Sequence, residues 1–447
     1  MESKGIAMNN RSFLVLLGFV LACGRISAAT LLLNNGVIHT VSGPTLTNGS
    51  VLSRDGIIVD VGENLSQAAD QVINLAGGHV YPGLIAATTI AGLVEIEAVR
   101  ATRDFAEVGE YTPDVRSWMA VNPDSDLLPV ARANGVTHIV PVPTGGIVSG
   151  HSGVVALDGW TAEEMAVKKP AALNLFWPSM ELDTTPKEQF KDKNKWKSLE
   201  EQEKERSRKL KAFDDFFQDA EAYAKTMPSG ATNRGGKVPA WEAMLPLVRR
   251  EIPLIVHADD IRQIKAAVLW AQMRKYKIVI AGGMDAWMEP HLLATNNVPV
   301  IYERVYNQAT GMGATPTRDY LPYDVHFSAP EILRQAGVKV AISGGLGGDA
   351  AEDLRNLPYL AAQAAAFGLP ATEAIKAITL YPAEIYGISD QLGSLQAGKE
   401  ATFFIADGDI LDIRNHVLRV WIAGKEVSLQ TRHTRLYEKY RARPKSR

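Results

Sequence analysis

The sequence predicts an α/β chain: a large barrel-like centre with insertions, joined to a small β-domain that both ends of the chain build together. Three observations lead there. Short β-branched runs punctuated by turn residues occupy residues 30–80 and return near 401–427. Between them, apolar strand-like runs follow helical stretches, the pattern of a parallel sheet covered on both faces. The chain has 447 residues, 22% charged and 46% hydrophobic, which exceeds one ordinary single-core domain.

The first thirty residues read as a leader rather than as fold. Lys4 and Arg11 precede the apolar run Phe13 to Ala22, and the small residues Ser27, Ala28 and Ala29 follow. A basic start, a short apolar core and a small-x-small end describe a secretory signal. The run is short of the roughly twenty apolar residues that a spanning helix needs. Cleavage is expected after Ala29, and the signal reads equally well from Met8. A second reading takes Val20-Leu21-Ala22-Cys23 as a lipoprotein box with a lipid anchor on Cys23, although Leu21 is unusual there. Either way the expected location is periplasmic or extracellular, free or held on the cell envelope.

The next strands are Leu31 to Leu33, Val37 to Val41 and Val51 to Leu52, with Asp55-Gly56 turning into Ile57 to Val61. Matching short strands, Ala401 to Ile405 and Val417 to Ile422, lie near the other end. The centre carries Val136 to Val140, Leu254 to Val256, Ile278 to Ile280, Val298 to Ile301 and Val338 to Ile342. Its length suits a TIM-type (β/α)8 barrel with insertions. The expected layout is a signal at 1–29, the first β-sandwich segment at 30–81, the barrel at 82–385, the second β-sandwich segment at 386–430 and a basic tail at 431–447. Within the barrel, 184–236 is an insertion; its segment Lys187 to Lys211 is nearly all charged or polar and reads as a solvated surface helix, with a lid or partner-binding helix as the alternative.

Composition narrows the function classes. With 47 basic against 50 acidic residues and a formal net charge of -3, no nucleic-acid partner is expected. The single cysteine, Cys23, excludes a disulfide framework and zinc sites built on thiolates. A small-molecule substrate or ligand is the expected partner; a homo-oligomer stays open.

Gly78-His79-Val80-Tyr81-Pro82-Gly83-Leu84-Ile85 resembles the entry from β-domain to barrel in the amidohydrolase superfamily, nearest its imidazolonepropionase-like and dihydroorotase-like branches. Thr379-Leu380-Tyr381-Pro382-Ala383 and the stretch Leu392 to Ala401 are similar to the family's closing motif, with Thr402 where an Asp usually stands. Val256-His257-Ala258 looks like the fifth barrel strand. The resemblance implies the barrel with its composite β-sandwich, hydrolysis of non-peptide C–N bonds such as cyclic amides, and zinc or another divalent metal held by strand-end His and Asp. Such a metal lowers the pKa of bound water, and a strand-end Asp takes its proton.

The chain departs from that pattern at the ligands. Thr88 and Ile90 replace the two imidazoles of the first strand, Gly282 stands at the sixth-strand His and Gly345 at the eighth-strand Asp. His257 is the one family ligand left, and a single imidazole does not hold zinc. No cofactor is therefore expected. Two function classes remain: a C–N hydrolase with an altered or absent metal site, and a non-catalytic descendant that binds a small molecule or a partner in the old pocket.

His151, placed in a Gly-rich loop running from Thr144, and His257 are the candidate catalytic residues; each has a structural alternative as a bonded, non-reacting imidazole. Thr88, Arg103 and Asp349 are candidate substrate contacts, with Asp349 alternatively a helix cap and Arg103 one of a solvated charged face. Gly345, Gly347 and Ala350 match a dinucleotide fingerprint, but after the last strand rather than the first, which argues against such a site. One of Asp259 and Asp260 is expected to cap the helix that begins near Ile261.

Overall fold

The computed structural model describes residues 30–226, 238–306, 321–347 and 349–443. The leader with Cys23, and the Gly-rich loop expected at Pro228 to Gly236, lie outside the described residues.

The β-domain is one mixed sheet that joins the two ends of the chain. Its strands are β1 (Thr30–Ile38), β2 (Leu46–Arg54), β3 (Ile57–Glu63), β4 (Gln71–Asn74) and β5 (His79–Pro82), then β14 (Phe403–Ala406), β15 (Val417–Ile422) and β16 (Lys425–Val427). The order is β16-β15-β14-β5-β1-β2-β3, with β4 added on β1. The ends meet where β5 pairs antiparallel with β14, Phe403 opposite Pro82 and Ile405 opposite Val80. Leu33, Ile38, Val51, Ile58, Val80, Phe403 and Trp421 form its buried core.

Eight further strands form the barrel: β6 (Leu84–Thr89), β7 (Val136–Pro141), β8 (Val148–Ala156), β9 (Ala166–Phe176), β10 (Leu254–Ala258), β11 (Ile278–Gly282), β12 (Val300–Tyr302) and β13 (Val340–Ile342). They follow one another in space in chain order. Seven run parallel, but β8 runs antiparallel to both β7 and β9, so the barrel is not a strict (β/α)8 repeat. The cause is local. Only residues 142–147 separate β7 from β8, too few for the dozen or so that a parallel crossover needs, so the chain turns back as a hairpin. This also corrects the Gly-rich loop expected around His151: residue 151 lies in the middle of β8, paired with Leu173.

Between β13 and β6 the seam is bridged by a side chain. Thr88 N–H donates to Ser343 Oγ at 3.2 Å, and that hydroxyl donates to Thr88 O at 2.6 Å. Inward-facing Ile85, Ala87, Ile255, Val279, Ala281, Ile301 and Ala341 fill the lower barrel, closed from beneath by Ile385, Tyr386 and Ile388. The Tyr386 hydroxyl donates to Ala87 O at 2.6 Å.

Gly83, at the junction of the two domains, is required for space. A Cβ there would stand 2.1 Å from Thr137 Oγ1 and 2.6 Å from its Cγ2, and Thr137 is fully buried. Gly83→Ala should therefore destabilise the protein by about 1–3 kcal/mol, the usual cost of overpacking. Urea unfolding checks this, and Thr137→Ala in the same chain should return some of the loss.

The charged insertion forms the helix Leu199–Thr226, whose first half is solvated and whose second half packs. Phe213 and Phe217 are buried against Trp270, with ring centroids 4.8 and 4.9 Å apart. Arg274 ties the two elements by pairing with Asp214 at 2.5 Å and Glu221 at 3.1 Å.

Candidate active site at the barrel mouth

Side chains alternate along a strand, so each inward apolar residue predicts the next inward position two places on. Ile255, Ile301 and Ala341 thus lead to His257, Glu303 and Ser343 at the carboxyl ends of β10, β12 and β13. Catalytic groups of such barrels come from this end. Thr88 on β6 and Asn174 on β9 complete the layer, both buried.

These groups are held to one another. The Thr88 hydroxyl donates to Glu303 Oε1. His257 Nε2 donates to Asn174 Oδ1 at 3.3 Å, and Asn174 Nδ2 donates in turn to Gly150 O and Ser152 Oγ. The Phe176 ring stacks on His257 with centroids 4.2 Å apart. Arg304 grips the Asp259 carboxylate through Nε at 3.0 Å and through Nη2.

Burial sets the protonation states. Glu303 is pushed up to about 7, because burial penalises its charged form more than the Thr88 hydrogen bond and Arg304 favour it. His257 is pulled down to about 3 by burial, so its imidazole is neutral at ordinary pH. A carboxyl group poised near neutrality can both accept and return a proton.

The residues present do not fit a divalent metal. At Gly282, where the resemblance places a His, a Cβ would stand 2.7 Å from Asp259 Oδ1. At Gly345, where it places an Asp, a Cβ would stand 3.2 Å from Glu303 Oε2. The space of two family ligands is thus taken by carboxylates from neighbouring strands. One of them is committed to the guanidinium of Arg304, a fixed cation that opposes a second one. Among the described residues no group of three or more His, Cys, Asp or Glu is arranged to hold a metal ion.

The other expected residues are dispersed. His151 is a strand neighbour of Ser152, so it faces away from the Asn174–His257 side of the sheet. Its Nε2 donates to Ala243 O of the helix Pro239–Val248 at 2.8 Å. Arg103 is exposed beyond β6, in an isolated bridge with Val94. Asp349 is exposed, and its backbone carbonyl accepts from Asp353 N–H at 2.8 Å. Asp260 is the helix cap, accepting from Arg262 N–H at 2.8 Å, while Gln263 reaches back to Asp260 N–H. Sequence reasoning misses Glu303, Asn174 and Ser343. A usable signal is present: Glu303-Arg304 places two opposite charges directly after the apolar run Val300-Ile301-Tyr302.

Fold and site together define the class: an α/β barrel with a composite sheet domain and its polar layer at the carboxyl ends of the strands. Residues 251–427 match the amidohydrolase family model. Over the described chain, the amidohydrolase from Thermotoga maritima MSB8 has a similar structure, with TM-score 0.76, 24% identity, and coverage of 89% of this chain and 99% of that one. A zinc-bound adenosine deaminase from Xanthomonas campestris is similar at TM-score 0.52 and 17% identity, covering 92% and 97%. These likenesses are of fold. Among curated proteins, one named "Putative N-acetylgalactosamine-6-phosphate deacetylase" from Escherichia coli (strain K12) is 35% identical over 103 residues, 22% of this chain and 54% of that protein. N-acetylgalactosamine-6-phosphate deacetylase of Escherichia coli O157:H7 is also 35% identical over 103 residues, 24% of its length. The chain therefore spans about half of the first relative and a quarter of the second. The chain shares its fold with these amidohydrolase structures, and the family-model match covers residues 251–427.

Proposed function

We propose that this protein hydrolyses a non-peptide C–N bond, a cyclic amide or a related N-acyl group, with Glu303 as its proton-transfer residue. The observation that carries the reading is Glu303 itself: a buried carboxyl at the end of the seventh barrel strand, poised near neutrality beside the position of the family's Asp. The deacetylase likeness, which concerns an N-acyl bond in those relatives, supports the same bond type. Ionised Glu303 takes a proton from water as the water oxygen bonds to the carbonyl carbon. The C–N bond then breaks, and Glu303 returns that proton to the departing nitrogen, giving an acid and an amine. Arg304, fixed by Asp259, is the nearby cation that favours negative charge on the carbonyl oxygen. A cleft of about 500 Å³ lined by Phe176, Trp177 and Arg206 opens beside the His257–Phe176 stack and suits a small molecule.

The internal bonding of Thr88, Glu303, His257 and Asn174 favours a second reading, a descendant that binds its ligand without turnover. A panel of N-acetylated sugars, lactams and cyclic ureides separates the two. Product release that rises through pH 7 supports hydrolysis. Thermal stabilisation by a compound that is never cleaved supports binding alone.

Export belongs to the proposal as well, resting on Lys4, Arg11 and the apolar run to Ala22. Among the described residues no helix is long and apolar enough to cross a membrane. Mass spectrometry of the N-terminus from secreting cells distinguishes cleavage after Ala29 from a lipid on Cys23.

A further inference from the structure

The chain closes on the helix Arg432–Arg441, which buries none of its residues. Its start is well built: Thr431 and Thr434 cap each other's backbone, and Arg432 and Arg435 reach Asp126 at 3.3 and 3.6 Å. Beyond that first turn nothing in the described structure covers it. An isolated helix of this length is marginal in water, so its stability calls for a covering surface.

The arrangement of its side chains indicates which one. At 100° per residue, Leu436, Tyr440, His433 and Tyr437 share one face. Leu436, Tyr437 and Tyr440 are 38%, 64% and 59% exposed, so the face is both apolar and open. Arg441 flanks it on one side and Lys439 on the other, against the single acid Glu438. Arg441 lies over the Tyr437 ring at 5.6 Å and Lys439 over Tyr440 at 5.8 Å, which keeps the cations at the edges of the aromatic face. A solvated helix has no need of an aromatic stripe. A stripe bordered by basic residues, on a chain whose overall charge is negative, matches the interface of an anionic bilayer, where tyrosines sit at headgroup level.

We propose that the helix Arg432–Arg441 lies flat on anionic lipid surfaces and docks the protein there, independently of the reaction at the barrel mouth. The test uses the full chain with Cys23→Ser and Tyr440→Cys, labelled at residue 440 with an environment-sensitive nitrobenzoxadiazole. The probe surfaces are vesicles of equimolar phosphatidylglycerol and phosphatidylcholine, or phosphatidylcholine alone. The label should shift to the blue with the anionic vesicles, with at least about tenfold stronger partition than into neutral ones. Adding Lys439→Glu and Arg441→Glu should weaken that partition about 25-fold or more, taking about fivefold per cation, with the melting temperature unchanged. The proposal is overturned by no shift with anionic vesicles, by equal shifts with both kinds, or by a shift that the Glu variants leave intact. A shift that grows with protein concentration in the absence of lipid also overturns it, and assigns the face to a second copy of the chain.

Discussion

Glu303→Gln should abolish hydrolysis, lowering kcat/KM by about 10²–10⁴-fold, while making the folded protein more stable above pH 7. The two effects share one cause. In the fold Glu303 titrates near 7 rather than at its ordinary 4.5. The folded state therefore holds a proton that the unfolded chain releases between those values. The stability this contributes is fully present below about pH 4.5 and is lost as pH rises through 7. At pH 8 the native protein carries a buried ionised carboxyl, and replacing it with the neutral amide relieves about 2–3 kcal/mol. The substituted amide keeps an oxygen for the Thr88 hydroxyl. Denaturant midpoints should thus separate at pH 8 and converge at pH 5, and activity should vanish at both. A variant that retains activity rules out Glu303 as the proton-transfer group. One destabilised at pH 8 rules out the raised titration.

Acid should unfold the protein through its buried imidazoles. His257 is held at about 3, and His138, inside the barrel strand β7, at about 4. His39, stacked on Tyr81 in the sheet domain, is also held at about 4. Burial is the leading cause in all three; at His39 the neighbouring His79 adds to it, and Asp409 opposes it. Folded values below the unfolded 6.5 mean that the unfolded chain binds protons first. Their stabilising contribution is present above pH 6.5 and is lost as pH falls from there towards 4. Each loses about 2 kcal/mol by pH 5, and the gain from Glu303 over the same range offsets about 2 kcal/mol of the total. The net loss between pH 7.5 and 5 is roughly 4 kcal/mol, a large fraction of ordinary domain stability. Chemical denaturation across that range measures it. A flat profile would mean that these imidazoles are not closed off from water.

Much of the architecture was legible because it depends on patterns that repeat. The apolar runs marked β7, β10, β11, β12 and β13, and the turn-rich ends marked the strands that meet as β5 and β14. The motif around Gly83 stands where β5 gives way to β6. The antiparallel β8 was not legible. Its run Val148-Ser149-Gly150-His151-Ser152-Gly153 is rich in Gly and Ser, and the strand is fixed by pairing with β7 and β9, a tertiary effect that local composition does not encode. The site divided in the same way. The departures from the family's motif at Thr88, Ile90, Gly282 and Gly345 were visible in the sequence alone. The groups packed against Gly282 and Gly345 were not, because Asp259 and Glu303 reach those positions from other strands. A carboxylate's pKa is a property of its surroundings, and no spacing along the chain reports them.

The most direct test of the account is the metal content of the purified protein, with its thermal stability measured before and after chelation. Because Asp259 and Glu303 crowd two of the family's ligand positions and Arg304 sets a fixed cation on Asp259, zinc, iron and manganese should each fall well below one atom per chain. The melting temperature should not move when a strong chelator is added. One or more tightly bound metals per chain, with a chelator-induced drop in melting temperature, would contradict the account and return the barrel mouth to metal-activated water.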